Sequence, residues 1–553
     1  MRPAGLEAHL LRTLADMPYL NRREMVPVTG RSKGAVHEAV ERLQADGLCG
    51  SVLHAVDPFP PSRRFHLTGA GLRRLADEDG MSLDDLVRTH PVSAEWRRSL
   101  MERMDALASI YHVASLASDV AYPLRFRWYR SSKLDAGMEL PDGRTVGIVR
   151  QGPTADRSVF AQRLWRLKDE PMPGVVLVLT TDAVRLRHAR RMLSTTDVPS
   201  LLAVERETVM ADVDAPIWTP AQVHAAVSLR YSLDRTAPGG AFPGEPQPGL
   251  ASVPADLPVM GTVANMADHM LPVTLRPAEK RALDLVFDWP WIALGELAGL
   301  LGVSPQRASQ IVNPLEGFSL VVRPREAEGR LALTDRGLAL LARRDRTSVA
   351  AARRRLSVAP EDAKGPFEWR NLTGSRSRQL LRNIEHTEAV HVFLSALAAQ
   401  ARHLGWEIAQ LDPPRRASRH FRHDERLRAV YPDAFGVLRR AEETWAFFLE
   451  WERRAVRPST MATRLAPYLR YYSSHRPIDD HGARPAVLIV FDDDIAATHF
   501  LRVARERMQA SRVTVPLWVS HKEAIDSLGP LGRAWRTPDA AWEPPQSLPT
   551  EAK

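Results

Sequence analysis

The chain of 553 residues has one cysteine, Cys49. A single thiol forms neither an intrachain disulfide framework nor a cysteine zinc cluster. No apolar run approaches the roughly 20 residues that span a bilayer. The N-terminal stretch lacks the charged, apolar and small-residue succession of a secretory signal, so the chain reads as cytoplasmic with no membrane partner. A Walker-type phosphate loop is missing too: "GAGLRRLA" follows a ribbon instead of opening a βαβ unit, which leaves nucleotide binding without support. No His-x-x-x-His pair and no serine nucleophile constellation stands out.

What the chain has is positive charge. Lys plus Arg number 75 against 66 Asp plus Glu, for a net charge of +9, and arginine dominates the basic set. Arginine makes bidentate contacts to phosphates and base edges, which favours double-stranded DNA as a partner. A GC-rich genome also raises arginine and alanine, so composition alone does not decide the matter. A length of 553 residues exceeds what one core supports and predicts several domains.

The chain is written twice. "LEAHLLRTLADM", "NRREMVPVTG" and "SKGAVHEAVERLQADGL" read as three helices. The third is capped by Ser32 and carries Val36, Ala39, Val40 and Leu43 on one face. A ribbon, "LCGSVLHAV" to "FHLT", and a closing helix follow, which is the order of a winged helix. From 277 the order recurs: "PAEKRALDLVFDW", "ALGELAGLLGV", "SPQRASQIVNPLEGFSL", a ribbon, and "DRGLALLARRD", with Leu67-Thr68 and Leu333-Thr334 in the same place. A long helix then brings His112 and His391 into register, both read as core histidines. Each half goes on through a hairpin, a helix, an apolar strand and a second helix to a tryptophan, Trp218 or Trp535. The reading is an α+β, multidomain chain: two winged-helix domains alternating with two α/β domains whose element order resembles the PD-(D/E)XK nuclease fold. The boundaries are 1–90 and 91–232 for the first pair, then 273–350 and 351–542 for the second. Residues 233–272 are Pro/Gly-rich and read as a flexible linker, and 543–553 as a disordered tail.

In "PDAFGVLRRAEETWAFFLEWERR", a two-residue loop at Ala441 and Glu442 pairs Arg440 with Glu443 and, further out, Asp433 with Glu450. The period of two puts Glu452 on the same face, so three carboxylates converge at a sheet edge. Like charges that close call for a cation between them. Asp433 and Glu450 are the candidate ligands for Mg²⁺ or Mn²⁺, which would activate water at a scissile phosphate. In the first half, Asp135 could pair with Val149, Arg150 or Gln151; none is an acid, so that copy is read as non-catalytic. Arg163 matches Arg464.

The stretch "YPDAFGVLRRAEETWAFFLEWERRAVRPSTMATRLAPYLRYY" resembles the replication-relaxation family of mobile elements and plasmids, which pairs a winged helix with a nuclease-like domain. The resemblance is most specific at about 380–540 and weaker over 100–220. It implies DNA binding in plasmid or mobile-element replication, transfer or its regulation, beside a relaxase or replication protein, and it admits a homodimer. One departure matters. Where the nuclease pattern has acid, any residue, lysine, this chain has Glu452, and Arg464 is the candidate to restore the positive charge. The catalytic candidates are thus Asp433, Glu450, Glu452 and Arg464. The competing readings are a Mg²⁺-dependent nuclease or nickase and a transcriptional regulator with partner-binding α/β domains.

A winged helix sets its third helix in the major groove and its ribbon tip on the backbone. The DNA-contact candidates are Ser32, Lys33, His37 and Arg42 in the first copy and Ser304, Gln306, Arg307, Ser309 and Gln310 in the second. The ribbons add Arg63, Arg64, Arg323, Arg325 and Arg330. A basic strip before Asp433 adds Arg415, Arg416, Arg419, Arg422, Arg426 and Arg428. The second copy is the better base reader, because Gln and Arg match the edges of adenine and guanine.

Overall fold

The computed structural model describes residues 5–223, 225–246, 251–257, 266–452, 458–541 and 543–548. The chain is mixed α/β with several sheets and divides into two compact units. The first comprises Met1–Lys280 with Leu340–Ser348, and the second Arg281–Ala339 with Val349–Lys553.

The first unit opens with helices Leu6–Asp16, Arg22–Thr29 and Lys33–Ala45. Asn21 starts the second helix with a capping box that Glu24 completes, and the Ser32 hydroxyl caps the third. Val36, Ala39, Val40 and Leu43 are its buried residues, the four that the helical period assigns. Strands Cys49–Val56 and Phe59–Leu67 pair antiparallel as a ribbon, and Leu20–Asn21 adds a short third strand against Phe65 and Arg64. The helix Gly69–Asp79 closes this helix-ribbon module. Next, the helix Met104–Ser118 is buried along almost its whole length and lies between the module and a six-stranded sheet in one continuous apolar core. The sheet strands follow in chain order, Arg125–Trp128, Ala136–Glu139, Thr145–Arg150, Val175–Thr180, Ser200–Val204 and Thr219–Pro220. The middle three are parallel and the outer pairings antiparallel.

The second unit repeats this order. Helices Leu294–Leu301 and Pro305–Gly317 precede a shorter ribbon, Val321–Val322 with Ala332–Leu333, and Ile292 bridges Leu331 where the first module has its short third strand. The helix Ile384–His403 buries His391 against Trp289. A five-stranded sheet then runs Glu407–Asp412, Ala434–Arg440, Glu443–Glu452, Ala486–Phe491, Leu517–His521, antiparallel for two pairings and parallel for two. Between its first two strands the chain projects a separate two-stranded arm, Arg419–His423 with Arg426–Val430, where the sequence suggested only an extended basic strip. Trp218 and Trp535 are both fully buried.

One contact is repeated between the modules almost atom for atom. Thr68 Oγ1 donates to the carbonyls of Gly47 and Leu48, and Thr334 Oγ1 to those of Ser319 and Leu320. Three residues on, Gly71 and Gly337 lie so close to the same Leu48 and Leu320 carbonyls that an added Cβ would sit 2.1 and 2.3 Å from the oxygen.

Two stretches expected to be loose are held where they are described. In the Pro/Gly-rich segment, Gly239 N donates to Gly143 O at 2.9 Å, Glu245 accepts from Arg130 N at 3.0 Å, and Phe242 covers Gly137. At the C-terminal end, Gln546 N donates to Trp535 O at 2.7 Å and Leu548 is buried. Gly239 and Gly240 there serve close apposition to the ends of two inner strands, bridging Arg144 and Pro173. Residues 247–250, 258–265 and 549–553 of these two segments lie outside the described residues.

Substituting Gly71→Ala or Gly337→Ala forces a backbone shift in the module that carries it. We expect a loss of about 1–3 kcal/mol, read as a lower urea midpoint; an unchanged midpoint would count against the close approach.

Candidate functional site

The hairpin Ala434–Arg440 and Glu443–Glu452 has the register that a two-residue loop dictates, with Arg440 opposite Glu443 and Ala434 opposite Leu449. Ala441 takes a left-handed φ of 50° in the loop. Continuing outward, Asp433 falls opposite Glu450, and its N–H donates to Leu449 O at 2.8 Å. The Asp433 carboxylate folds back over the partner strand, where Oδ2 accepts the Trp451 N–H at 2.9 Å. The next strand pairs in parallel with Glu450 and Glu452, whose neighbours are Ile489 and Phe491. Helix Pro458–Tyr472 then lays Arg464 and Tyr468, one turn apart, over the two glutamates. Tyr468 donates its hydroxyl proton to Glu450 Oε1 at 2.5 Å, and Arg464 forms an ion pair with Glu452. From the long helix, His386 Nε2 comes to 3.3 Å from Asp433 Oδ2 and 3.2 Å from Trp451 O.

Burial sets the charge state of this cluster. It pushes the Glu450 carboxyl well above its usual range, and the charge on Asp433 adds to the shift. Glu452 is pushed up to about 7 by burial, against the pull of Arg464. His386 moves the other way from what burial favours, because the hydrogen bond and charge of Asp433 outweigh its desolvation and raise it. Burial therefore favours the protonated form of both glutamates.

The first unit builds the corresponding site on the same register with other residues. Asp135 N donates to Ile148 O at 2.7 Å, and Asp135 Oδ2 accepts the Arg150 N–H at 2.7 Å. Val149 and Gln151 thereby take the positions of Glu450 and Glu452, so the absence of a second acid on that hairpin holds. The lone aspartate is ringed by guanidinium groups: Arg103 Nη2 at 2.5 Å from Oδ1, Arg346 Nη1 at 3.0 Å from Oδ1 and Arg163 Nη2 at 2.8 Å from Oδ2. Burial alone would raise this carboxyl; Arg163, Arg346 and Arg103 together hold it below the usual range instead. Arg163 and Arg464 both reach their site, the first to the aspartate and the second to a glutamate.

Asp433 and Glu450 have the hard oxygen donors that Mg²⁺ or Mn²⁺ takes. Their arrangement does not present a ready ligand set, since Tyr468 takes Glu450 Oε1, the Trp451 N–H and His386 take Asp433 Oδ2, and Arg464 pairs with the neighbouring Glu452. Among the described residues no group of three or more His, Cys, Asp or Glu side chains is placed to hold a metal. No hydrolytic step follows from this geometry.

The expected DNA contacts divide sharply. Lys33, His37, Arg42, Arg63, Gln306, Arg307, Gln310, Arg325, Arg415, Arg422 and Arg426 are exposed, and Ser309 and Arg428 are half-buried. Four candidates are corrected, because the structure spends them inside. Arg64 is 1 % exposed and grips Glu24 through two hydrogen bonds. Arg330 is buried against Glu388. Arg416 clasps Asp288 and Asp412, and Arg419 lies buried over the rings of Phe435 and Phe448. Arg323 is half-buried and paired with Glu316.

Sequence reasoning missed Tyr468 and His386. Tyr468 had a signal, standing one helical turn beyond Arg464 on the same face. For His386 nothing local distinguishes it from its helical neighbours. Comparison of the chain with protein-family models, curated proteins and solved structures finds no match.

Two outcomes follow from the charge states. Glu452 holds its proton more tightly folded than unfolded, so its contribution favours the folded chain at low pH. That contribution is lost as pH rises from the ordinary 4.5 through about 7, a change on the order of 3 kcal/mol. Glu452→Gln should flatten the fall in thermal midpoint across that window; an unaltered slope would refute the assignment. Asp135→Ala strands three buried guanidinium groups and should cost about 3–5 kcal/mol in urea unfolding, whereas a near-neutral result would show that the ring closes without it.

Proposed function

We propose that this chain is a DNA-binding protein made of two winged helices alternating with two PD-(D/E)XK-nuclease-like α/β domains, a tandem duplication in which the second winged helix reads the bases. The observation that carries this reading is the solvent face of the helix Pro305–Gly317. Gln306, Arg307, Gln310 and Asn313 are exposed there, and no acid interrupts them. Arg307 Nη1 donates to Gln310 Oε1 at 3.0 Å, which orients both side chains on one edge. On the helix Lys33–Ala45 the same face carries Glu38 and Glu41. Arg42 pairs with Glu38 and Glu7, and His37 with Glu41. Carboxylates facing a phosphate backbone are repelled, and cations already paired release fewer counterions on binding.

In this reading Arg307 addresses guanine O6 and N7, and Gln306 or Gln310 the adenine edge. Ser304 caps the helix through Arg307 N and directs its N-terminus toward the backbone. The exposed Arg325 at the ribbon and Arg415, Arg422 and Arg426 around the arm lie where phosphates would be met. The resemblance of residues 431–472 to replication-relaxation proteins favours a role in plasmid or mobile-element replication, transfer or its regulation, with a relaxase or replication protein as the companion. The nuclease reading needs Glu450 and Glu452 freed from Tyr468 and Arg464, and it is not the reading adopted.

The test is fluorescence anisotropy of the full chain on DNA selected from a random pool. Arg307→Ala with Gln310→Ala should weaken binding to the selected site by tenfold or more, as expected for about 1–3 kcal/mol per bidentate contact. Lys33→Ala with Arg42→Ala should change it by less than about threefold. The opposite ranking would reject the second helix as the reader.

A further inference from the structure

In the first unit a recess of about 680 Å³ opens between the helix Arg22–Thr29, the ribbon strand Phe59–Leu67 and the long helix Met104–Ser118. Its volume falls in the range of roughly 300–1,000 Å³ that small-molecule sites occupy. Ser115 and Phe65 are buried and form its inner side, whereas Arg23, Pro60, Pro61 and Arg63 are exposed and form its rim. Phe59 stands edge-on to His112 in the wall, with ring centroids 5.7 Å apart, and His112 is fixed in turn by a 2.8 Å hydrogen bond between Nε2 and Thr208 O. Val26, Pro27 and Val209 complete the apolar lining. The strand that supplies one wall is nine residues long here, and its counterpart in the second module is two.

The charge in the recess is positive once internal pairs are removed. Glu24 and Arg64 satisfy each other, and burial raises the Asp119 carboxyl above its usual range. Arg22 reaches His37 at 2.7 Å, yet its Nε is buried and has no hydrogen-bond partner among the described residues. The side chains of Arg23 and Arg63 have neither a hydrogen bond nor an ion pair among the described residues. Both are carried on backbone held in register. Asn21 pairs with Arg64 across the short strand, and Arg23 and Arg63 lie within two residues of that pair.

We infer that this recess binds a small organic anion, whose carboxylate or phosphate group is taken by Arg23 and Arg63 and whose apolar ring lies inside against Phe59 and Val209. Unpaired guanidinium groups at the rim select the charge, and the apolar wall behind them selects a ring over an inorganic ion. A duplex backbone is the less suitable occupant, because it meets projecting cations and would leave that wall unfilled. The assignment goes beyond the reading of DNA by the second module and does not require it.

The test is calorimetric titration of the full chain, without DNA, using naphthoate and naphthyl phosphate as probes. Saturable binding is expected, and the tighter probe identifies the anionic group. Arg23→Ala with Arg63→Ala should weaken it about tenfold or more, and Val209→Trp, which fills the recess, should abolish it, with circular dichroism showing that each variant is folded. Arg505→Ala with Arg507→Ala removes equal charge from exposed positions of the helix Asp494–Ser511 and should leave binding unchanged. The proposal is overturned if neither probe binds at about 1 mM, or if the two arginine pairs weaken binding alike. Equal affinity for naphthylmethylamine or for inorganic phosphate would also overturn it. Displacement of the probe by a random-sequence duplex that persists in Arg307→Ala with Gln310→Ala would overturn it in favour of the DNA backbone.

Discussion

A carboxylate taken out of water must meet a cation or hold a proton, and much of this molecule is arranged around that demand. In the first unit a buried chain runs from Glu24 through Arg64 and His54 to Asp105, which lies 2.6 Å from Lys280 Nζ. It joins a helix of the module, both strands of its ribbon, the long helix and the residue that ends the first stretch of the unit. Asp345 is held by Arg344 and Thr154. In the second unit Asp288, Arg416 and Asp412 form a comparable clasp. Much of the positive charge that a bulk count offers to a polyanion is therefore used internally.

The two hairpins show the alternatives side by side. On one scaffold the acid is single and surrounded by guanidinium groups, which keeps it ionised. On the other, three acids share one arginine and one histidine, and burial raises both glutamates above the usual carboxylate range. The first solution is rigid and indifferent to pH over the neutral range. The second leaves Glu452, pushed up to about 7, at the end of the sheet's central strand, an environment in which perturbed values accompany function.

Local pattern carried a good part of this. The register of the second hairpin follows from a two-residue loop and strand parity, so Asp433 opposite Glu450 was legible before any coordinates. The buried face of Lys33–Ala45 follows from the helical period. The arginines were legible only in number. Arg63 and Arg64 are neighbours on one strand, yet one is exposed and the other grips Glu24, and the difference lies in a helix 40 residues away. The same holds for Asp135, whose three partners, Arg103, Arg163 and Arg346, come from segments distant in sequence. The basic strip before Asp433 was misread as one surface, because pairing of Arg419–His423 with Arg426–Val430 puts Arg422 on the face opposite Arg419, Arg426 and Arg428. The Pro/Gly-rich stretch was misread as free because composition reports conformational permissiveness and says nothing about what lies alongside.

The threonine and glycine that close each module mark where the two units are held alike. Gly71 and Gly337 lie against main-chain carbonyls, so a side chain at either position forces a backbone shift. The side chains of Lys33–Ala45 and Pro305–Gly317 that face solvent answer to no such contact. Substitution is therefore constrained unevenly: the turn between ribbon and helix leaves no room for a side chain, while the outward surface of either helix can change without disturbing the module.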